Sequence, residues 1–391
     1  MSSSLGSKRV REEATSASTG AAPPLQQSLT DKDNGKVVTN SPYGASRAAL
    51  GWGTPFQPML KAVLAELPNV RIGISSLNGV PGKDREMPTL MQQYQKKFSV
   101  LEHCYPYHRM CDVEQWDKWK AMPATKDFWF TVKANQFLTH LKLLEMDADL
   151  TTHVDNFFVQ RCPRLGDRLA AVLVQLPPTF ANTTNHFERL RVLSAHIPSS
   201  VPIAVEFRHP SWFCDEVYDF LRAAKWTLVA THHHDTGNTP LVDTGSGVMY
   251  VRLHGAVDTY AGDYGKTVME WWGGRILDFV SRNPSGRVLF FLNNNESHIG
   301  NLTSSIVDAT QLAQCLRAAV KSAAASGGES DAPASNVPTP SQPGTRPPPS
   351  TNAAAAAVTT SSSPPTPAGA STPVKATGSS KAEAESVDDE E

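Results

Sequence analysis

Eight short, apolar, β-rich segments recur along the middle of the chain, and helix-like stretches fill most of the gaps between them. The segments are residues 70–75, 99–104, 127–134, 171–176, 203–208, 227–232, 248–255 and 288–293. Strands that alternate with helices predict parallel pairing through crossovers, and eight such units within about 250 residues predict a closed barrel. An open, doubly wound sheet is the alternative. It usually has a glycine-rich phosphate loop after its first strand, and GISSLNGVPGKD, which begins at Gly73, is not such a loop. The predicted fold class is therefore α/β, a single (β/α)8 barrel of the TIM type.

Composition changes along the chain and predicts three regions. Residues 1–50 are rich in Ser, Ala and Asn, and residues 322–391 combine runs of Ala with many Pro and Ser, no aromatic residue and an acidic end. Such segments bury too little apolar surface to offset the entropy of ordering, so both are predicted to be disordered extensions. The barrel is predicted to occupy residues 51–321.

Overall charge and hydrophobicity exclude several classes of protein. The net charge of -2 does not favour general binding to nucleic acid, although a local basic groove stays open as an alternative. No apolar run approaches the roughly 18 residues of a membrane-spanning helix. We expect no membrane association and a cytoplasmic location, and SKRVREE near the N-terminus leaves a nuclear location open. Protein partners recruited through the two extensions are a further alternative.

Polar side chains collect where the predicted strands end. In a (β/α)8 barrel the carboxyl ends of the strands meet at one face, where active sites lie. Alternation along a strand places Glu206 and Arg208 on one side, and likewise Arg252 and His254, with apolar residues on the other. Burying such charges costs several kcal/mol each unless they are paired, so the pattern predicts a polar pocket at this face. The other candidates are Glu102, Lys133, Gln175, His209, Trp212 and Asn294.

Five motifs in series resemble the YecE-like family, known as domain of unknown function 72. They are VEFRHPSWF (205–213), FTVKANQFLTH (130–140), LGDRLAAVLVQLPPTF (165–180), VMYVRLHG (248–255) and FFLNNN (290–295). The resemblance implies a TIM-barrel fold and no particular reaction. Two positions depart from the family pattern. A Gly-Trp pair that usually follows the first strand is missing, and Cys104 stands where the family has Asn after the second strand. The substrate of relatives is therefore not assumed to be shared.

Acid–base chemistry on an anionic or hydroxyl-rich substrate is the predicted function. Glu206 and His254 are the predicted proton-transfer groups, and Lys133 is the third catalytic candidate. Arg208 and Arg252 are expected to stabilise negative charge, as Lys133 would. A structural ion pair between Glu206 and an arginine is an equally good interpretation of those residues taken singly.

The remaining candidates are assigned to substrate binding. Gln175, Glu102, His209 and Asn294 supply hydrogen-bonding groups, and Trp212 supplies a ring for stacking against a sugar or base. No cofactor and no metal are predicted. The run THHHDTG (231–237) is interpreted as a solvated loop, because consecutive histidines alternate sides and at most two can serve one site. The alternatives are a non-catalytic module that binds a ligand or nucleic acid, and a metal-dependent phosphoesterase or nuclease.

Overall fold

Eight strand positions form the centre of the protein. The structure is a computed structural model that describes residues 60, 63–75, 77, 80, 87–233, 237–296, 298–299 and 302–326. The central strands are β1 (Val70–Ile74), β2 (Val100–His103), β3 (Trp129–Lys133), β4 (Leu169–Gln175), β5 (Ile203–Glu206), β6 (Thr227–Leu228) with β7 (Ala230–His233), β9 (Val248–Leu253) and β10 (Arg287–Leu292). All eight predicted strand segments are therefore confirmed. The sixth is divided at Val229 into β6 and β7. Short strands β8 (Gly237–Asn238), β11 (His298–Ile299) and β12 (Leu302–Thr303) lie outside this set.

The central strands follow one another around a ring. Parallel ladders join β2 to β3, β4, β5 and β6 in that order, and a second set joins β7 to β9, β10 and β1. β6 and β7 are consecutive in the chain, and β1 contacts β2. The chain thus has the strand order and the parallel pairing of the predicted α/β fold.

The contact between β1 and β2 depends on a side chain rather than on a ladder. The Tyr94 hydroxyl accepts a hydrogen bond from the Ile74 N–H (3.1 Å) and donates one to the Val100 carbonyl oxygen (2.7 Å). A Cβ atom on Gly73 would lie 2.7 Å from that same oxygen, so only glycine permits this approach. Tyr94 therefore fastens the two strands together.

Helices cover the outside of the ring. They are α1 (Met87–Tyr94), α2 (Tyr105–His108), α3 (Val113–Ala121), α4 (Ala148–Val154), α5 (Thr184–His196), α6 (Asp215–Ala224), α7 (Gly265–Arg282) and α8 (Ser304–Ser326). Within the described residues, the connections also contain two π-helical turns (Phe137–Leu141 and Asp155–Arg161) and two 3-10 turns (Cys162–Arg168 and Pro210–Trp212). The described part of the connection between β7 and β9 contains β8 and no helix.

Alternation along the strands separates an inner from an outer set of side chains. A small apolar cluster that includes Val100, Leu173 and Phe291 fills the inside, and a much larger cluster packs between strands and helices. At the amino ends of the strands, the guanidinium groups of Arg71 and Arg287 lie 4.3 and 4.9 Å from the Trp129 ring centroid. Apolar and aromatic groups therefore fill the inside between these arginines and the carboxyl ends, where the inward side chains are again charged.

The predicted extensions lie almost entirely outside the described residues. Residues 1–50 are not described, and of residues 322–391 only 322–326 are described, as the end of α8. Among the described helices, none is both long and apolar enough to cross a membrane.

Replacing Tyr94 with Phe tests the connection between β1 and β2. Tyr94→Phe keeps the ring but leaves the Ile74 N–H and the Val100 carbonyl without their partner, so we expect the free energy of unfolding to fall by about 1–3 kcal/mol. Urea denaturation measures it. Tyr105→Phe is the matched control, because Tyr105 is 52% exposed and should change stability little. Equal effects of the two substitutions would contradict the assignment.

Candidate active site

Arg252 lies between two carboxylates at the carboxyl ends of the strands. Its Nε atom is 3.1 and 3.0 Å from the two Glu102 oxygens, and its Nη2 atom is 2.7 Å from Glu102 Oε1. Its Nη1 atom donates to Glu206 Oε2 at 2.7 Å. Arg252 is 1% exposed, as is Glu102, and Glu206 is fully buried. A planar guanidinium with five N–H groups is the side chain that can serve two carboxylates at once.

Tyr250 completes the partners of Glu102. Tyr250 precedes Arg252 by two residues on β9, so both side chains point inward. Its hydroxyl donates to Glu102 Oε2 at 2.5 Å and lies 3.0 Å from Thr131 Oγ1. Burial and the neighbouring Glu102 raise the pKa of Tyr250 well above its ordinary value. The phenol therefore stays protonated and acts as a hydrogen-bond donor.

Glu206 is held in its ionised form. It is the last residue of β5, and Arg208, two residues further, donates from Nε to Glu206 Oε1 at 2.6 Å. Burial alone would raise the pKa of Glu206, but Arg252 and Arg208 together lower it to about 2. A carboxyl group with this pKa is not a general acid near neutral pH. The structure therefore gives Glu206 the features of a fixed negative charge.

His254 has one ring nitrogen without a hydrogen bond. Its Nδ1 atom lies 3.2 Å from the amide nitrogen of Asn293, which follows β10, so the ring proton is assigned to Nε2. Nε2 is buried, has no hydrogen-bond partner in the described residues, and lies 4.0 Å from Glu206 Oε1. Burial and the charges of Arg252 and Arg208 lower the pKa of His254 well below its ordinary value. The imidazole is therefore neutral at physiological pH.

Two more buried hydroxyls at the inner face have no hydrogen bond within the described residues. They are Ser75 Oγ, one residue past β1, and Thr231 Oγ1 on β7. Thr231 is paired in register with Arg252, and the Ser75 N–H donates to Leu292 O at the end of β10. Each unsatisfied buried polar atom costs about 1–3 kcal/mol. With His254, the carboxyl ends of β1, β7 and β9 thus present unsatisfied polar groups, which is typical of a site that receives polar atoms of a ligand.

Lys133 ends β3 on the opposite side of the ring. Its Nζ atom lies 3.9 Å from the centroid of the Tyr107 ring, and the side chain is only 6% exposed. Asn135 connects α2, which carries Tyr107, to the segment after β3, because its side chain donates to Pro106 O and accepts from the Phe137 N–H. Lys133 is thus a buried cation held on an aromatic face.

Three predicted binding residues take structural positions. Trp212 was predicted to stack on a substrate, but it is fully buried, stacked 4.5 Å from Phe207, and donates from Nε1 to Phe180 O at 2.6 Å. Its large apolar ring fills the crevice beside β5 instead. His209 caps the turn Pro210–Trp212, accepting from the Ser211 N–H. Gln175 is buried beside Glu206 in register and donates to Leu176 O at 3.3 Å.

Asn294 belongs to a different polar cluster. Its amide donates to Gly262 O (2.9 Å) and to Asp308 Oδ2 (2.7 Å), and Asp308 also accepts from the backbone N–H groups of Tyr264 and Gly265. Burial raises the pKa of Asp308 to about 7. This cluster fixes the loop before α7 and caps that helix. The neighbouring asparagine, Asn293, is the one that reaches His254, because successive side chains point to opposite sides.

Several residues of the site were not among the predicted ones. Tyr250 shares the alternation of Arg252 and His254, so extending that pattern backwards by two residues would have found it. Asn293, Ser75 and Thr231 also follow from alternation once the strand register is known. Asp308 lies within a helix, and no sequence signal identifies it.

The described residues contain no metal-binding cluster. Among the described residues, no group of three or more His, Cys, Asp or Glu side chains could hold a metal ion. His232 and His233 of the histidine run are buried on β7 and not in the predicted solvated loop, and His234 lies outside the described residues.

The motifs and the fold agree with a known family. The family model described as "Protein of unknown function DUF72" matches residues 77–334. The chain belongs to the DUF72 family. It is 29% identical over 188 residues to the UPF0759 protein YunF of Bacillus subtilis, which covers 46% of this chain and 64% of YunF, just under two thirds of that relative's length.

Two solved DUF72 structures share the fold. A protein from Enterococcus faecalis superposes with a TM-score of 0.53 at 19% identity, covering 63% of this chain and 95% of the other. A Thermotoga maritima protein gives a TM-score of 0.52 at 24% identity, covering 63% of this chain and 98% of the other. At these identities the likeness shows the fold alone.

Removing Arg252 should destabilise the protein strongly. Arg252→Met leaves the carboxylates of Glu102 and Glu206 buried without their shared partner, so we expect the free energy of unfolding to fall by about 3–5 kcal/mol. Arg164→Met is the matched control. Arg164 is paired with Asp117 at 3.2 Å on the surface, where such pairs contribute about 0–1 kcal/mol. A loss at Arg252 no larger than that at Arg164 would contradict the central role of the buried guanidinium.

The ionised state of Glu206 predicts a dependence of stability on pH. Its folded pKa of about 2 lies below the ordinary value of 4.5, so its contribution is fully present above that value and is lost as the pH falls towards 2. We expect the stability of the wild type to fall more steeply with acid than that of Glu206→Gln, measured by urea unfolding from about pH 6 to about pH 3. Glu216→Gln, at an exposed carboxylate, should keep the wild-type slope. Parallel curves for the wild type and Glu206→Gln would show that the residue is not held ionised by its arginines.

Proposed function

We propose that this DUF72 protein is an enzyme that binds a small anionic, hydroxyl-rich substrate at the carboxyl face of the strands and uses His254 for proton transfer. The observation that carries the proposal is the Nε2 atom of His254, which is buried and without a hydrogen bond in the described site. Neutral imidazole with its proton on Nε2 can give a hydrogen bond to an oxyanion, and the imidazolium can transfer that proton to it.

The charge of the site favours an anion. Glu102 and Glu206 carry two negative charges, and Arg252, Arg208 and Lys133 carry three positive ones. These five groups therefore leave one excess positive charge around a neutral histidine. Arg252 is occupied by both carboxylates, whereas Arg208 is 12% exposed in its side chain and keeps its Nη groups available beyond the bond from Nε. We assign the contact with the anion to Arg208 and Lys133.

Glu206 receives a positioning role in this proposal. It fixes Arg208 and Arg252 through short hydrogen bonds, and its carboxylate lies 4.0 Å from His254 Nε2. A permanent negative charge at that distance stabilises an imidazolium when one forms. His254 and Glu206 thus act together, with the proton on the imidazole and the fixed charge on the carboxylate.

Binding of an anion should change the protonation of His254. The positive charges around the imidazole lower its pKa. A bound anion next to Arg208 and Lys133 offsets those charges, so the pKa of His254 rises and more of the histidine is imidazolium at neutral pH, which can donate its Nε2 proton to the substrate. Binding of the substrate would therefore favour the protonated form of His254.

Histidine NMR tests this coupling directly. The imidazoles of the full-length protein are labelled with 15N, and His254→Gln assigns the resonance. Without ligand we expect His254 to stay neutral well below pH 6.5, and with phosphate, glycolate or glycerate its pKa should rise by at least about one unit. Arg208→Gln should remove the ligand-induced rise, and Arg222→Gln, on the exposed face of α6, should not. If none of these anions changes the pKa of His254, the proposal is overturned.

Deuterium exchange separates an enzyme from a binding module. Ligands that shift His254 are incubated in D2O with wild type and with His254→Asn, and exchange at carbon next to the carboxylate or hydroxyl is followed by NMR. Exchange lost by at least about a hundredfold in the variant, with binding retained, supports proton transfer. Binding without exchange or any other turnover in the wild type would favour the non-catalytic module. Stimulation by divalent metal ions would instead favour the phosphoesterase or nuclease.

A further inference from the structure

The outside of the barrel has a groove beside the connection between β7 and β9. In a (β/α)8 barrel each strand is followed by a helix that covers its outer side. Here the described part of that connection, residues 237–247, is extended or irregular, so it covers the strands only partly. A cavity of about 370 Å³ lies between this segment and α7. This volume falls within the range of small-molecule sites, about 300–1,000 Å³.

The groove is separate from the candidate active site. Its floor includes Leu228 and Met249, which belong to the outer apolar cluster. Thr231 and Tyr250 also border the groove, but the Tyr250 hydroxyl, like the Arg252 guanidinium, bonds to Glu102 inside the ring. The two sites therefore lie on opposite faces of one strand.

The walls of the groove are largely apolar. Trp271, Trp272 and Phe279 come from α7, and Leu241 and Val242 come from the segment that replaces a helix. The rings of Trp271 and Trp272 meet edge to face with centroids 4.8 Å apart. Aromatic walls of this kind suit a flat ring or a branched apolar group.

One cation remains available to a ligand in this groove. Arg282 bonds to Asp278 (3.0 Å) and Asp243 (3.3 Å), so both carboxylates already have a cationic partner and do not bond to Arg275. Arg275 lies one turn after Trp271 with its guanidinium 5.1 Å from that ring, and it makes no ion pair with a described residue. A guanidinium stacked on an indole presents its N–H edge to a carboxylate or sulfonate.

We propose that this groove, defined by Leu241, Met249, Trp271 and Arg275, is a second binding site for an apolar or aromatic monoanion. The ring or branched chain would lie between Leu241 and Trp271, and the acidic group would pair with Arg275. The volume limits the ligand to about the size of a two- or three-ring molecule. The proposal does not depend on the chemistry at His254.

A matched pair of probes tests the site in the full-length protein. Anilinonaphthalene sulfonate carries the anion, and N-phenyl-1-naphthylamine is the uncharged analogue with the same rings. We expect one sulfonate site per chain by fluorescence titration. Arg275→Gln should weaken binding of the sulfonate about tenfold and leave binding of the uncharged probe nearly unchanged. Arg222→Gln is the control at an exposed arginine and should affect neither probe.

A second variant and a competition experiment test the same site independently of Arg275→Gln. Leu241→Asp places a carboxylate in the wall of the groove and should weaken binding of the sulfonate. It does not truncate a buried side chain, so it can test the site if Arg275→Gln fails to fold. Phosphate, which we assign to the barrel face, should not displace the sulfonate. The proposal would be overturned if the folded wild type did not bind the sulfonate, or if phosphate displaced it. It would also be overturned if Arg275→Gln and Leu241→Asp both bound the sulfonate as tightly as the wild type.

Discussion

The guanidinium of Arg252 holds the carboxyl face of this barrel together. It bonds to Glu102 from β2 and Glu206 from β5, so a single side chain on β9 connects strands on different sides of the ring. Removing these charges from water is costly, and the cost is offset only because every carboxylate oxygen has a hydrogen-bond donor, including Tyr250 and Arg208. A network of this kind fixes positions more than it adds stability. Its rigidity is what gives the neighbouring His254 a defined environment.

Alternation along the strands predicted much of this arrangement from the sequence. Glu206, Arg208, Arg252 and His254 point inward as their spacing requires, and the eight strands appear where the apolar segments lie. The interpretation of Glu206 as a structural ion pair was also available from sequence. Choosing between that and proton transfer needed the pairing of strands far apart in the chain, because the second arginine on Glu206 comes from β9.

Other positions could not be assigned from local pattern. Trp212 looks like a ring at a pocket edge, and only tertiary packing shows it between Phe207 and the Phe180 carbonyl. Asn293 and Asn294 are indistinguishable in a run of three asparagines, and a shift of one residue moves the amide from His254 to Asp308. The carboxylate of Asp308 is likewise separated by over forty positions from the N–H groups it caps. These contacts depend on register, which a single sequence does not contain.

The two faces of β9 differ in polarity, because the inner face carries buried charges and the outer face is largely apolar. On the inside, charges are buried, so each needs several partners, and His254 Nε2 stands out because it is a buried ring nitrogen without a hydrogen-bond partner in the described residues. On the outside, Met249 and the rings of α7 are apolar, and the guanidinium of Arg275, which makes no ion pair with a described residue, stands out for the converse reason. A charge or polar atom is informative where its surroundings do not already satisfy it. By that criterion the inner site should select ligands by charge and hydrogen bonding, and the outer groove should select them by apolar shape with one anionic group.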